Sequence, residues 1–555
     1  MPAKLQARPP LLLAVLGIIL YIGLAYLSPL LEPEDRAPEN AVQTPAISKQ
    51  EAAVLASDFI RQRFELSDTA KVETLFQSHT VRSGYLQHAG LEEEYEKKYG
   101  EQFPIDYFEV EITDDALSRN YYVGVNYTTK HIFSYSAWKD AAAKSGALPA
   151  ASEASPAAAG EKALRDMGYD PAAFTLQDSG RPSEDYGLVY VSRSIVVGEA
   201  PLELHLGYEN GRITSFRPAF PPPDSFLTWQ EAQDERSGRM TQISLLGSLL
   251  LSLTALILVI RHRRHITFSR GLMLTLVFLG IYVMNNFNML PSFRTMHNTG
   301  PSEPNALLYL WIMNIYVTLM ALSTYFALLA GRKLCLDTEV EPLPAWRDEQ
   351  FGGQVYLAMK DGYIIGLFIL GVQQALFFAG SYSFDIWAVS DPGSSVYNMR
   401  IPELFPLLAW SAAISEEAVY RLLGVTLLLK LTRSPFVAVL LPSILWAMSH
   451  TQYPIYPVYT RLIEVSVIGV IFGYVFLRYG FLTAVFAHAT MDSILMGLSL
   501  VYSGDEREAA AGIVYFFVPA AAGWIIYKIH SRLKRRPPGE QPPRAMEPPL
   551  EPRLP

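Results

Sequence analysis

Apolar stretches of about twenty residues recur roughly ten times along this chain, and each is long enough to cross the hydrocarbon core of a bilayer as a helix. A chain built this way cannot fold around one soluble core. Half of its 555 residues are hydrophobic, only 18% are charged, and the mean hydropathy is positive. The expected fold class is an all-α polytopic membrane helix bundle of about ten spans, carrying an extracytoplasmic α+β domain.

The first run, "LLLAVLGIILYIGLAYLSPLL", ends at residue 31 and reads as a membrane anchor, with a signal peptide as the alternative. Residues 32–238 contain no spanning run. Further spans are expected near 241–260, 271–291, 306–330, 362–380, 403–430, 435–452, 457–477, 481–502 and 511–528. They divide into membrane helices with a cytoplasmic loop over 239–355 and a membrane core over 356–530. A Pro-rich tail over 531–555, "PPGEQPPRAMEPPLEPRLP" at its end, is too polar to pack and is expected to be disordered.

Basic residues set the orientation, because Lys and Arg gather in cytoplasmic loops. Lys4 and Arg8, then Arg261, Arg263, Arg264 and Arg270, then Arg332 and Lys333 fall on one side. Lys430 and Arg433, Arg478, and Lys528, Arg532, Lys534, Arg535 and Arg536 keep the same parity, against Arg294, Arg400 and Arg507 opposite. Both termini are therefore expected in the cytoplasm, and residues 32–238 outside a plasma membrane.

That outer segment looks internally repeated, over about 45–140 and 158–220. In the first unit a helix-like "EAAVLASDFIRQRF" precedes the alternating "DYFEVEI" and "YYVGVNYTTKHIFSYS". After the linker "GALPAASEASPAAAG", a helix-like "EKALRDMGYD" precedes "GLVYVSRSIVV" and "LELHLGYENGRITSFRPAF". Asn210-Gly211 marks a hairpin. The pattern resembles tandem PepSY-like units, small helix-plus-sheet modules found with some secreted peptidases. That resemblance implies a role in binding or restraining a peptidase, with a regulatory ligand or protein as partner; an unrelated α+β sensor or spacer fits the same pattern.

Ionisable residues inside spans are costly and point to function when partners can be named. The stretch "AAISEEAVYRLLGV" carries Glu416, Glu417 and Arg421. Helical spacing places Glu417 and Arg421 one turn apart on one ridge, while Glu416 points about 100° away from Glu417 and is left unpaired. Of ten histidines, only His450 and His488 fall within or at the end of apolar helices. Trp446 stands one turn before His450, and Asp492 shares a face with His488. Two histidines, a free glutamate and an aspartate suffice for acid/base chemistry on water. Arg461 with Glu464 reads as a structural pair, and Asn285, Asn286, Asn288, Asn314, Gln373 and Gln374 as interhelical hydrogen-bonders.

Taken in order, Glu416-Glu417-x-x-x-Arg421, Trp446-x-x-x-His450 and His488-x-x-x-Asp492 resemble the three motifs of the CAAX-protease and bacteriocin-processing family of intramembrane endopeptidases. The resemblance covers roughly residues 360–505. It implies a glutamic-type hydrolase with no obligatory metal, a peptide or protein substrate, and contact with membrane lipid. Glu416 with His450 would polarise the attacking water, and His488 with Asp492 would stabilise the oxyanion. Glu417 and Arg421 would fix the helix and tune Glu416. Two departures stand out: Trp446 replaces the usual Phe, expected to alter shape more than chemistry, and Asp492 stands where several members have Asn. An ionised carboxylate cannot donate to an oxyanion, so either Asp492 is protonated or it orients His488.

Other classes remain open to the same residues. His450, His488 and one carboxylate could hold zinc, although no H-E-x-x-H occurs. A non-catalytic sensor or scaffold would use the outer domain to bind a ligand, and a proton-coupled transporter would use the buried carboxylates for ion movement. No basic stripe interleaved with aromatics suggests nucleic acid as a partner. The single cysteine, Cys335, supports neither a disulfide framework nor a cysteine-based metal site.

Overall fold

The computed structural model describes residues 8–31, 45–139, 155–177, 187–295 and 302–534. Lys4, residues 535–555 and the linker as far as residue 154 lie outside the described residues; the tail expected to be disordered from 531 begins later, because 531–533 complete the helix Glu506–Leu533.

Among the described residues, the segment before Asp224 is built on one antiparallel sheet of eight strands: β1 (Lys71–Ser78), β2 (Asp106–Asp114), β3 (Arg119–Val125), β4 (Ile132–Lys139), β5 (Phe174–Gln177), β6 (Leu188–Val197), β7 (Ala200–Glu209) and β8 (Arg212–Ala219). The spatial order is β1-β2-β3-β4-β8-β7-β6-β5, so each half is a meander and the two halves meet at their last strands. Tyr135 pairs with Phe216, and Ser136 with Ser215, across that seam. One helix precedes each half, Lys49–Arg63 and Pro156–Asp166. The first is opened by a capping box in which Ser48 and Glu51 satisfy each other's orphan groups. Alternation in β2 sends Phe108, Val110 and Ile112 into a core that also holds Ile60, Leu204 and Phe216. Asn210 and Gly211 both take positive φ, which fits the twist of the tight β7–β8 hairpin.

Among the described residues, six helices are long and apolar enough to cross a membrane: Asp224–Arg261, Pro304–Thr338, Phe351–Phe384, Val458–Tyr479, Phe481–Val501 and Glu506–Leu533. Leu11–Ala25, Leu272–Asn288 and Pro435–Met448 are apolar but shorter. The stretch expected as one span over 403–430 is divided. A 3₁₀ segment (Pro402–Leu407) leads into an α-helix (Leu408–Glu416), then a π-helix (Glu417–Val425), then an α-helix (Thr426–Thr432). Asp224–Arg261 has 38 residues, about 57 Å of helix at 1.5 Å per residue, far more than a bilayer core requires. Its first turns belong to the sheet domain: Phe226 packs edge-on against Tyr85 and lies beside Trp229.

The two parts are joined by specific polar contacts. Asn398, fully buried in the 385–407 loop, accepts from the N–H of Phe76 and donates to its carbonyl, both at 2.8 Å. β1 is an edge strand, so this carboxamide satisfies backbone groups that no further strand takes. Arg294 pairs with Glu111 of β2 at 2.9 Å, and Gln87 donates to the carbonyl of Ala388. The residues that follow His450 are held from the same side. Thr451 donates to the carbonyl of Ser237, and Asp234 accepts from the Tyr456 hydroxyl. The short pairing of Trp387–Ala388 with Ile455–Tyr456 then lays Trp387 against Tyr456, ring centroids 4.7 Å apart.

Candidate active site

Close helix approach comes first, because it decides which side chains can meet. Phe351–Phe384 presents Gly362 and Gly366 to the helix that carries His488. A Cβ at Gly362 would lie 2.6 Å from that of Phe486, and one at Gly366 would lie 2.8 Å from the carbonyl oxygen of Ala487. Larger residues would push the helices apart. Gly469 likewise lets Val458–Tyr479 approach Ser443 and Trp446.

Glu416 ends its α-helix and Glu417 begins the π-helix, a local widening of the turn that recurs at functional sites. Glu417 is fully buried and lies 3.2 Å from Arg421, itself 1% exposed. The pair deduced from spacing therefore forms, yet Glu417 is not consumed by it. Its Oε1 also accepts from Nδ1 of His488 at 2.9 Å. The guanidinium of Arg421 reaches the carbonyl of Gly469 and sits over the rings of Trp446 and Phe472, at 4.3 and 5.3 Å from their centroids. Aromatic faces and a carboxylate together replace the water that this cation has lost.

His488 is gripped on all sides. Phe472 stacks on its ring at 4.8 Å. Its Nε2 lies 3.3 Å from Oδ2 of Asp492 and 3.9 Å from Oε2 of Glu416. Glu416 is the most open of the three carboxylates, with 22% of its side chain exposed against 17% for Asp492 and none for Glu417.

Trp446 corrects the expectation that replacing Phe changes only shape. Its indole N–H donates to Oε2 of Glu416, a contact that a phenyl ring cannot make. The same ring lies 4.9 Å from His450 and 5.8 Å from His488. His450, just past the end of its helix, keeps Nδ1 against the carbonyl of Trp446 at 3.0 Å and stacks on Tyr453. Glu416, Glu417, Arg421, Trp446, His450, His488 and Asp492 thus form one cluster. Sequence reasoning missed the Glu417–His488 and Trp446–Glu416 bonds and the stacking of Phe472. Only Trp446 carried a signal, since a buried indole N–H needs an acceptor.

Nδ1 of His488 is taken by Glu417, and Nε2 faces the carboxylates of Asp492 and Glu416. Among the described residues, no group of three or more His, Cys, Asp or Glu is arranged to hold a metal ion.

Comparison with a family model falls on the same region. Residues 400–494 match the family model described as Type II CAAX prenyl endopeptidase Rce1-like. Over 89 residues the chain is 26% identical to the sporulation-killing factor biosynthesis protein SkfC of Bacillus subtilis (strain 168), a match covering 16% of this chain and 18% of that protein. The chain therefore spans less than a fifth of the length of that relative. No solved structure matches it. All three motifs fall inside the matched residues, so the part of this chain that is similar to the Rce1-like CAAX prenyl endopeptidase model is the part that carries the cluster.

Proposed function

We propose that this protein is an intramembrane endopeptidase of the glutamic type, hydrolysing peptide bonds in membrane-associated or hydrophobic peptides. The observation that carries the reading is the meeting of Glu416, His450, His488 and Asp492 from three separate motifs around Trp446.

With Oε2 of Glu416 held by the indole, its other oxygen is left to take a proton from water, and the exposure of this side chain admits that water. His450 stands across the Trp446 ring and directs the attack. Glu417 fixes His488 through Nδ1, so that Nε2 faces the gap between Glu416 and Asp492, where it donates to the oxyanion of the tetrahedral intermediate. Asp492 acts by orienting that imidazole, the role open to an ionised carboxylate. Arg421 holds Glu417 in place.

The shorter apolar helices and the divided 408–432 stretch complete the spans in this reading. Both termini lie in the cytoplasm of a plasma-membrane protein, and the sheet domain lies outside as two PepSY-like units that bind or restrain. Support comes from Arg261, Arg263, Arg264, Lys528, Arg532 and Lys534, all at helix ends remote in sequence from the sheet.

The test is cleavage of a panel of quenched peptides by purified protein in liposomes. Glu416→Gln should lower the rate about 10²- to 10⁴-fold while the protein still folds. Cleavage that survives this change overturns the reading. Loss of activity on chelation overturns the glutamic mechanism and leaves an endopeptidase, whereas solute or proton flux without cleavage favours a carrier.

A further inference from the structure

Where the sheet meets the membrane helices, a cavity of ≈ 100 Å³ lies between β1, the short helix Leu290–Arg294 and the start of Pro304–Thr338. Glu73, Arg294 and Arg400 line it, together with the apolar Leu290, Pro291 and Leu307. None of these belongs to the cluster around Glu416.

The charges of this cavity are unequally matched. Glu73 and Glu111 stand opposite each other across β1 and β2, and Arg294 bridges them, 2.9 Å from Glu111 but 3.8 Å from Glu73. Glu111 is buried, whereas 43% of the Glu73 side chain is exposed. Lys49 acts on Glu73 electrostatically but, among the described residues, makes no ion pair with it. Arg400 has no carboxylate partner among the described residues, although its backbone is fixed. Its N–H donates to the carbonyl of Asn288 at 3.0 Å, and the Asn288 carboxamide bonds both the N–H and the carbonyl of Ile401. Two guanidiniums lining one small cavity repel each other unless an anion stands between them. Glu73, half exposed and loosely held, can take a cation. The cavity therefore fits one ligand that carries both charges.

The rim shows what else that ligand carries. Leu307, Trp311, Ile315 and Leu319 are all exposed, between 42% and 63%. Residues four apart share one helix face, so these four form a single apolar ridge that runs about 18 Å from the cavity into the span. Half of a bilayer's hydrocarbon core is about 15 Å thick. A soluble zwitterion would leave the ridge uncovered, whereas a phospholipid joins a charged head to acyl chains of that reach. A choline head is cationic but has no N–H to donate; an ethanolamine ammonium has three. We propose that this cavity binds the head of a phosphatidylethanolamine-type lipid from the leaflet beside the sheet domain. The phosphate lies between Arg400 and Arg294, the ammonium bonds Glu73, and an acyl chain follows Leu307, Trp311, Ile315 and Leu319. Such a lipid fastens β1 to the membrane helices, and the proposal stands apart from the endopeptidase reading.

The experiment places the full-length protein in phosphatidylcholine nanodiscs and titrates in phosphatidylethanolamine, phosphatidylcholine or phosphatidylglycerol with brominated acyl chains. Trp311 is the reporter: its emission, taken as the difference between wild type and Trp311→Phe, is quenched by a brominated chain in contact with it. Brominated phosphatidylethanolamine should quench at a bilayer fraction about tenfold lower than either of the other two lipids. Arg400→Gln should bring it to the level of phosphatidylcholine, and Arg400→Lys should keep most of the preference. Glu73→Gln should erase the distinction between ethanolamine and choline heads and strengthen quenching by phosphatidylglycerol. Both side chains are exposed, so these variants should keep the wild-type unfolding midpoint. Equal quenching of the wild type by all three lipids overturns the proposal, whatever the variants do. So does an ethanolamine preference that survives in both Arg400→Gln and Glu73→Gln. Full displacement of the brominated lipid by micromolar glycerophosphoethanolamine, which has no acyl chains, overturns it as well and marks a site for a soluble zwitterion.

Discussion

The indole N–H of Trp446 donates to Oε2 of Glu416, and the same ring lies beneath the guanidinium of Arg421. One side chain thereby positions the proposed base and shields the neighbouring cation. Trp446→Phe keeps an aromatic ring there and removes only the donor. A hydrogen bond to a charged group contributes about 1.5–3 kcal/mol, so kcat should fall on the order of tenfold or more with KM nearly unchanged. Steady-state cleavage kinetics beside the thermal unfolding midpoint check this, and an unchanged kcat would deny the bond a role.

Glu417 and Arg421 are buried together, and removing one strands the other. Arg421→Met should destabilise the protein by about 3–5 kcal/mol, because His488 alone then faces a fully buried carboxylate. Glu417→Gln combined with Arg421→Met should cost less than the sum of the two single changes. Denaturation of the four proteins in one detergent gives the coupling directly.

Asn398→Ala unpairs the N–H and the carbonyl of Phe76 at once. We expect a loss of about 1–3 kcal/mol. Hydrogen exchange should quicken at β1 and across the 385–407 loop while β6 and β7 stay protected. Equal exchange in mutant and wild type would mean that water replaces the carboxamide without cost.

His79, just after β1, stacks on Tyr107 at 4.9 Å with its Nε2 buried and unpartnered. Burial, with Arg82 and Arg217 nearby, holds this imidazole well below its ordinary value of 6.5. A depressed value means that the folded state binds fewer protons than the unfolded one as pH falls below 6.5. Stability contributed by neutral His79 is thus complete above that pH and is lost below it, at up to about 1.4 kcal/mol per pH unit. Exchange protection in β1 and β2 should therefore weaken between pH 7 and pH 5, and His79→Phe should flatten that dependence.

Contacts within one helix were legible in the sequence, because a spacing of four fixes which residues face each other. Glu417 with Arg421 and His488 with Asp492 meet as spacing requires. Contacts between helices were not legible: Glu417 and His488 are 71 residues apart, Trp446 and Glu416 are 30 apart, and no local pattern joins them. The π-helical turn at 417–425 likewise has no marker in residue type. β1 escaped notice because "KVETLFQS" buries Leu75 and Phe76 side by side and breaks the alternation that reveals a strand. The helix beginning at Asp224 was expected near 241, since hydropathy drops at Gln233 and Asp234. Those side chains are polar because they bond Val458 and Tyr456.

An open sheet margin invites other chains to add themselves as strands, a route to fibres and unwanted assembly. By spending its carboxamide on Phe76, Asn398 acts as a stopper in the middle of one such margin. The opposite margin, β5, is only four residues long and offers little template. A domain made of eight strands can therefore sit crowded against neighbours at a membrane surface without zipping onto them.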